Sequence, residues 1–124
     1  MRRAGVTLAV AAAAALAAAG CGATPPQAPL PQAAKLDSAT GSISTACGEA
    51  AQVTAFPGNH RKDLITLEVT AASAAHKLAS VYRRNPNWIY QGDPVRQIVR
   101  DALDMLGSCG LPGAQAVLRR ATGL

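Results

Sequence analysis

The fold is decided by D93PVRQIVRDALDMLGSCG110. Asp93 has the short acidic side chain of a helix N-cap, and Pro94 suits the first helical position, where its missing N–H costs nothing. Val95, Ile98, Ala102, Met105 and Cys109 then recur in steps of three and four, flanked by Val99, Leu103 and Leu106. That rhythm gives one apolar stripe on a helix. Gly107 or Gly110 closes it. Arg100 and Asp104, one turn apart, belong to an exposed face.

Outward from this stretch the same period continues. In R61–R84, Leu64, Leu67, Ala71, Ala74, Leu78 and Val81 form a bundle seam that Ile65, Val69, Ala72 and Tyr82 widen. Asn85-Pro86 stops it, because the residue before a proline is disfavoured in the α region. An earlier helix is expected from Asp37 or Ser42 to Phe56, with Leu36, Ile43, Cys47, Ala50 and Val53 on one face. Pro57-Gly58-Asn59 turns the chain after it. A short last helix is expected from Pro112 to Ala121. No Asn-Gly or Asp-Gly pair and no sustained period-two alternation announces a hairpin. The expectation is an all-α fold, a small three- to four-helix bundle over residues 36–124. Its many alanines imply close helix approach and a thin core.

The N-terminus has another grammar. Met1-Arg2-Arg3 is basic, and residues 6–19 are almost purely apolar, a run shorter than the roughly 20 residues of a membrane span. Charged start and apolar run together read as an export signal over residues 1–20. It ends in Ala18-Ala19-Gly20-Cys21, which resembles the lipobox of bacterial lipoproteins, although Ala18 stands where leucine is preferred and Leu16 lies two residues earlier. With this signal, the Pro/Ala-rich stretch after it and two further cysteines, the chain resembles the small lipoproteins of alanine- and arginine-rich bacteria of the actinobacterial type. The resemblance implies cleavage before Cys21 and modification of its thiol with diacylglycerol bearing palmitate-type chains. The protein would then be held at the extracytoplasmic face of the cell membrane. Residues 22–34, GATPPQAPLPQAA, carry four prolines and no charge. They read as an extended spacer, so that residues 21–35 form a lipidated cysteine and a disordered Pro/Ala-rich tether reaching about 40 Å.

With Cys21 lipidated, Cys47 and Cys109 are the two of the three cysteines that remain, and parity pairs them. Outside the cytoplasm such a bond persists. Both lie on the apolar seams of their helices, and an up-down-up arrangement makes those helices parallel. A free reactive thiol at either position is the alternative, without a neighbouring histidine or CxxC to support it.

Chemistry is sparse. Formal net charge is +5, falling to +3 once Arg2 and Arg3 are removed. That excess is too small for nucleic-acid binding. His60 and His76 lie in no HxxxH, HExxH or CxxC pattern, so no metal site is read. Asp101 and Asp104 are a conceivable carboxylate pair, but no GxSxG, SxxK or glycine-rich phosphate loop accompanies them. No catalytic residue and no cofactor is assigned.

The remaining candidate is Y82RRNPNWIYQGDP94, which gathers the only Trp and both Tyr with two arginines. Arg83, Arg84, Trp88 and Tyr90 are the kinds of residue that dominate binding hot spots. They are the candidate contacts for an envelope protein or a cell-wall component. Alternatively, Trp88 and Ile89 plug the open end of a thin bundle. Arg119-Arg120 forms a second basic pair suited to a helix C-terminus. The expected function is a membrane-anchored interaction module associated with the envelope. The rivals are a secreted, unanchored or inhibitor-like binder, and a small ligand-binding or enzymatic domain.

Overall fold

The computed structural model describes residues 26–124. Among these residues four helices alternate in direction: α1 (Leu30–Ala55), α2 (Arg61–Arg84), α3 (Val95–Ser108) and α4 (Pro112–Thr122). A two-residue hairpin, β1 (Ile89–Tyr90) with β2 (Asp93–Pro94), lies between α2 and α3. The directions follow from side-chain bonds. Lys77 Nζ donates to Ser38 Oγ at 3.1 Å, near the C-terminal half of α2 and the N-terminal half of α1. Glu68 meets the first turn of α4, whereas Arg83 meets its last, so α2 and α4 run parallel. The fold is thus the expected disulfide-stapled helical bundle, with one small antiparallel ladder added.

The core is as thin as the alanines imply. Ala39, Ala46 and Ala50 of α1 and Ala71, Ala74, Ala75 and Ala79 of α2 are buried. Leu36, Ile43, Leu78, Leu106, Leu111 and Leu118 supply most of the buried bulk. Burial of such side chains at about 25 cal/mol per Å² provides the main favourable contribution to folding.

Several expectations shift. Helix α1 starts at Leu30, not at Asp37 or Ser42, and so occupies part of the stretch read as a disordered tether. Pro31 sits in its first turn, where an N–H would lack a partner anyway. Ahead of it, the Ile89 N–H donates to the Pro26 carbonyl at 3.0 Å and the Ala28 N–H to the Ile89 carbonyl at 2.9 Å. Pro26, Pro29 and Pro31, which suggested a spacer, therefore lead into the bundle, and the expected 40 Å reach shrinks accordingly. Gln32 is buried, and its Oε1 has no hydrogen-bond partner.

Asp93 is not the N-cap of α3. Pro94 occupies that position, and Asp93 pairs with Tyr90 in the hairpin. The helix donors are met by loop carbonyls instead: Val95 N–H to Trp88 O at 2.8 Å and Arg96 N–H to Pro86 O at 2.9 Å. The seam of α3 is also rotated. Val95, Val99, Ala102, Leu103 and Leu106 are buried, whereas Met105 is exposed. The stripes centred on 98/105 and on 99/103/106 overlap in sequence, and the placement of α2 and α4 selects the second. Ile65 and Val69 do not widen the seam of α2; they are exposed. The N-terminal turns of α2 have only α1 beside them, because α4 begins level with Glu68.

Cys47 and Cys109 form a disulfide with a Cα–Cα distance of 5.3 Å, in the ordinary range for such a bond. It ties the middle of α1 to the C-cap of α3. Cys21 and the signal-like residues before it lie outside the described residues.

Candidate functional site

The loop between α2 and α3 is built almost entirely from its own backbone. Asn85, extended at φ −165° and ψ 102°, ends α2, and its side-chain Oδ1 accepts from the Asn87 N–H at 2.9 Å. The Trp88 N–H returns to the Asn85 carbonyl at 3.3 Å, which closes a turn around Pro86. Gln91 and Gly92 then both have positive φ, 51° and 87°. That is the type I′ turn whose twist matches a two-residue hairpin. Gln91 is an unusual occupant, which is why no hairpin signal was visible in the sequence.

Two side-chain bonds fix this loop to the helices. The Tyr90 hydroxyl donates to Asp37 Oδ1 at 2.8 Å. Arg96 Nη1 donates to Asn87 Oδ1 at 2.9 Å. Burial, the hydrogen bond to Asp37 and the charge of Asp37 raise the Tyr90 pKa above its ordinary 10.0, since ionisation would place an oxyanion against a carboxylate. Trp88 and Tyr90 are half-buried and pack on the core together with Tyr82. The rings thus serve as the plug of the bundle end while keeping part of their surface in solvent.

Of the four candidate contact residues, Arg83 and Arg84 are exposed at the C-terminus of α2. Arg83 Nη1 donates to the Ala121 carbonyl at 3.3 Å, next to the C-terminus of α4. Arg119 and Arg120 lie in the last turn of α4, also exposed. Two helix C-termini, each carrying partial negative charge, are therefore dressed with four guanidinium groups at one end of the bundle. The arrangement brings Arg83, Arg84, Trp88 and Tyr90 to the same end and adds Arg119 and Arg120.

The larger concave surfaces run along α1 and α2, starting at Asp37. A groove of about 520 Å³ between α1 and α2 is lined by Asp37, Ser42, Thr45, Glu49, Thr66 and Thr70, among others. A second, of about 410 Å³, continues along the same two helices past Glu49, Gln52, Asp63 and Thr66. Hydroxyls and carboxylates share the lining of both with Leu67, and Lys77 Nζ reaches Ser38 at the edge of the first. Sequence reading missed these grooves, because each lining position looks like an ordinary solvated helix face. Asp101 borders a smaller depression of about 160 Å³ with Ile43, Ile98, Ala102 and Met105, an apolar rather than a polar setting. Its carboxylate accepts from Gln97 Nε2 at 2.9 Å. Among the described residues no three His, Cys, Asp or Glu side chains come together as a metal would require. His60 Nε2 is hydrogen-bonded with the Phe56 carbonyl, and His76 is exposed on α2.

Glu68 has a part that the sequence did not reveal. Its Oε2 accepts from the Gly113 N–H at 2.7 Å and its Oε1 from the Ala114 N–H at 3.1 Å. It caps α4 from another helix, where Leu111 and Pro112 offer no side-chain cap of their own.

No protein-family model matches the chain. Neither does any curated protein or any solved structure. No helix among the described residues is long and apolar enough to cross a membrane.

Proposed function

We propose that the protein is an extracytoplasmic module, anchored to the cell membrane by lipid on Cys21, that works through contacts of its helical bundle with envelope components rather than by catalysis. The observation that carries this reading is the use of the cysteines. With Cys47 and Cys109 joined, Cys21 is the one of three left over by count, and it directly follows Ala19-Gly20 at the end of an apolar run. A disulfide of this kind suits an oxidising compartment. The exposed Arg83 and Arg84 and the half-buried Trp88 and Tyr90 are the contact residues of the module.

The test is the intact mass of the protein recovered from its own host, with and without reductant. The expected species begins at Cys21, carries diacylglycerol, and gains about two hydrogens on reduction of one disulfide. A chain without added lipid, with Cys21 titrating as a free thiol or removed by cleavage after it, overturns the anchor and leaves a secreted binder.

A further inference from the structure

We infer that the end of the bundle bearing Arg83, Arg84, Arg119 and Arg120 is a docking surface for a membrane rich in anionic lipid head groups. The inference rests on the lipid-anchor reading for its geometry and on the arrangement of charge for its chemistry.

The geometry comes from where the chain enters the fold. Pro26 is held against β1 by the bond from the Ile89 N–H to its carbonyl. Ile89 belongs to the loop that directly follows Arg83 and Arg84, so the entry point is at the arginine end. Cys21 precedes Pro26 by five residues, which even fully extended span at most about 18 Å. Helix α1 alone, with 26 residues, is about 39 Å long. A lipid on Cys21 therefore holds this end close to the head groups and the opposite end far from them.

Charge is divided along the same axis. The near end carries the four arginines, and Arg96, in the first turn of α3, reaches Asn87 of the loop there. The carboxylates there are Asp93, in the hairpin, and Asp37, already engaged by Tyr90. Glu49, Asp63, Glu68 and Asp104 lie toward the other end, where they outnumber the cations Arg61 and Lys62. Leu30, the first residue of α1, is 86 % exposed at the same end of the bundle and offers an apolar contact there. Each arginine close to an anionic surface strengthens attachment about fivefold. Arginine also matches phosphate oxygens with paired donors.

Trp88 is the chain's only tryptophan and sits in the loop at this end, so its fluorescence reports docking without a label. The protein recovered from its host is mixed with vesicles of phosphatidylcholine alone or with about a third phosphatidylglycerol. Expected is a blue shift of Trp88 emission with the anionic vesicles only, reversed near 1 M salt, where the Debye length falls to about 3 Å. The triple variant Arg84→Gln/Arg119→Gln/Arg120→Gln, which spares the Arg83 bond to Ala121, weakens docking on the order of a hundredfold. Arg61→Gln/Lys62→Gln at the opposite end leaves it unchanged, and thermal unfolding verifies that both variants fold.

A lipidated sample whose Trp88 emission is the same in both vesicles overturns the docking surface and leaves the anchor standing. An unlipidated sample that still responds to phosphatidylglycerol overturns the anchor and keeps the surface. A triple variant that behaves like the parent, or an equal shift produced by soluble polyphosphate without vesicles, overturns the assignment to lipid.

Discussion

At the scale of single residues, the pair Asp37 and Tyr90 shows how a long-range contact sets a local property. The phenol hydrogen-bonds to a carboxylate 53 positions away, and burial together with that partner raises its pKa. The folded chain thus holds the Tyr90 proton more tightly than the unfolded chain. Its contribution to stability is complete below about pH 10, the ordinary tyrosine value, and is lost as pH climbs from there through the raised pKa. Tyr90→Phe is expected to remove this component of alkaline destabilisation and to lower stability near neutral pH by about 1 kcal/mol, the usual net contribution of one hydrogen bond. Urea unfolding of both proteins between pH 7 and 11 measures the two effects together. If the parent and the variant lose stability in parallel above pH 10, the contact with Asp37 plays no such part. Nothing in the sequence joins the two residues, since they stand 53 positions apart and only the topology brings them together.

At the scale of elements, helix α4 depends on a neighbour. It has 11 residues, too few for an isolated helix to persist in water, and its first donors are met by Glu68 of α2. Gly113 is part of the device: a Cβ there would stand 2.5 Å from Glu68 Oε2, so alanine would push the carboxylate away. Glu68→Ala is expected to cost about 1–2 kcal/mol, in line with the loss of a charged cap. Gly113→Ala is expected to cost part of the same amount, and the double variant little more than the larger single effect. Chemical denaturation of the three variants checks this, and full additivity would show that the two residues do not act as one unit.

The helices themselves were largely legible. The limits of α2 follow from Pro57-Gly58-Asn59 on one side and Asn85-Pro86 on the other, each of which physically blocks continuation. The start of α1 was misread because a proline both favours extended chain and suits the first helical turn, and only the packing of Leu36 and Gln32 into the bundle decides between them. The hairpin was hidden because Gln91 takes a positive φ that asparagine or aspartate would have advertised. The candidate site was half legible. The composition of residues 82–94 pointed to it, but its sharing of one bundle end with Arg119, Arg120 and Pro26 is a matter of topology, which periodicity does not encode.

At the scale of the whole molecule, the disulfide closes a loop of 62 residues. In the chain-entropy account such a closure stabilises the fold by about 4 kcal/mol, a large part of the roughly 5–15 kcal/mol typical of a domain. The double variant Cys47→Ala/Cys109→Ala is expected to lose about that amount, and the parent treated with reductant to approach it, as read from thermal and urea unfolding. An unchanged midpoint would mean that the alanine-rich seams hold the bundle unaided. The expectation is the opposite, because small side chains bring helices together closely but remove little apolar surface from water.

The position of that bond has a consequence for damage. Beyond Ala50, α1 has no buried residue, and α2 has none before Ala71, so the two helices project as an arm past the ends of α3 and α4. At its tip, Phe56 is 66 % exposed, and Pro57, Gly58 and Asn59 follow in open chain. This is the place where a protease would first gain hold. A single cut there divides the polypeptide between Cys47 and Cys109, yet the bond keeps both pieces on one scaffold. The nicked protein would retain its arginine end and its fold, and it would fall into two fragments only in a reducing environment.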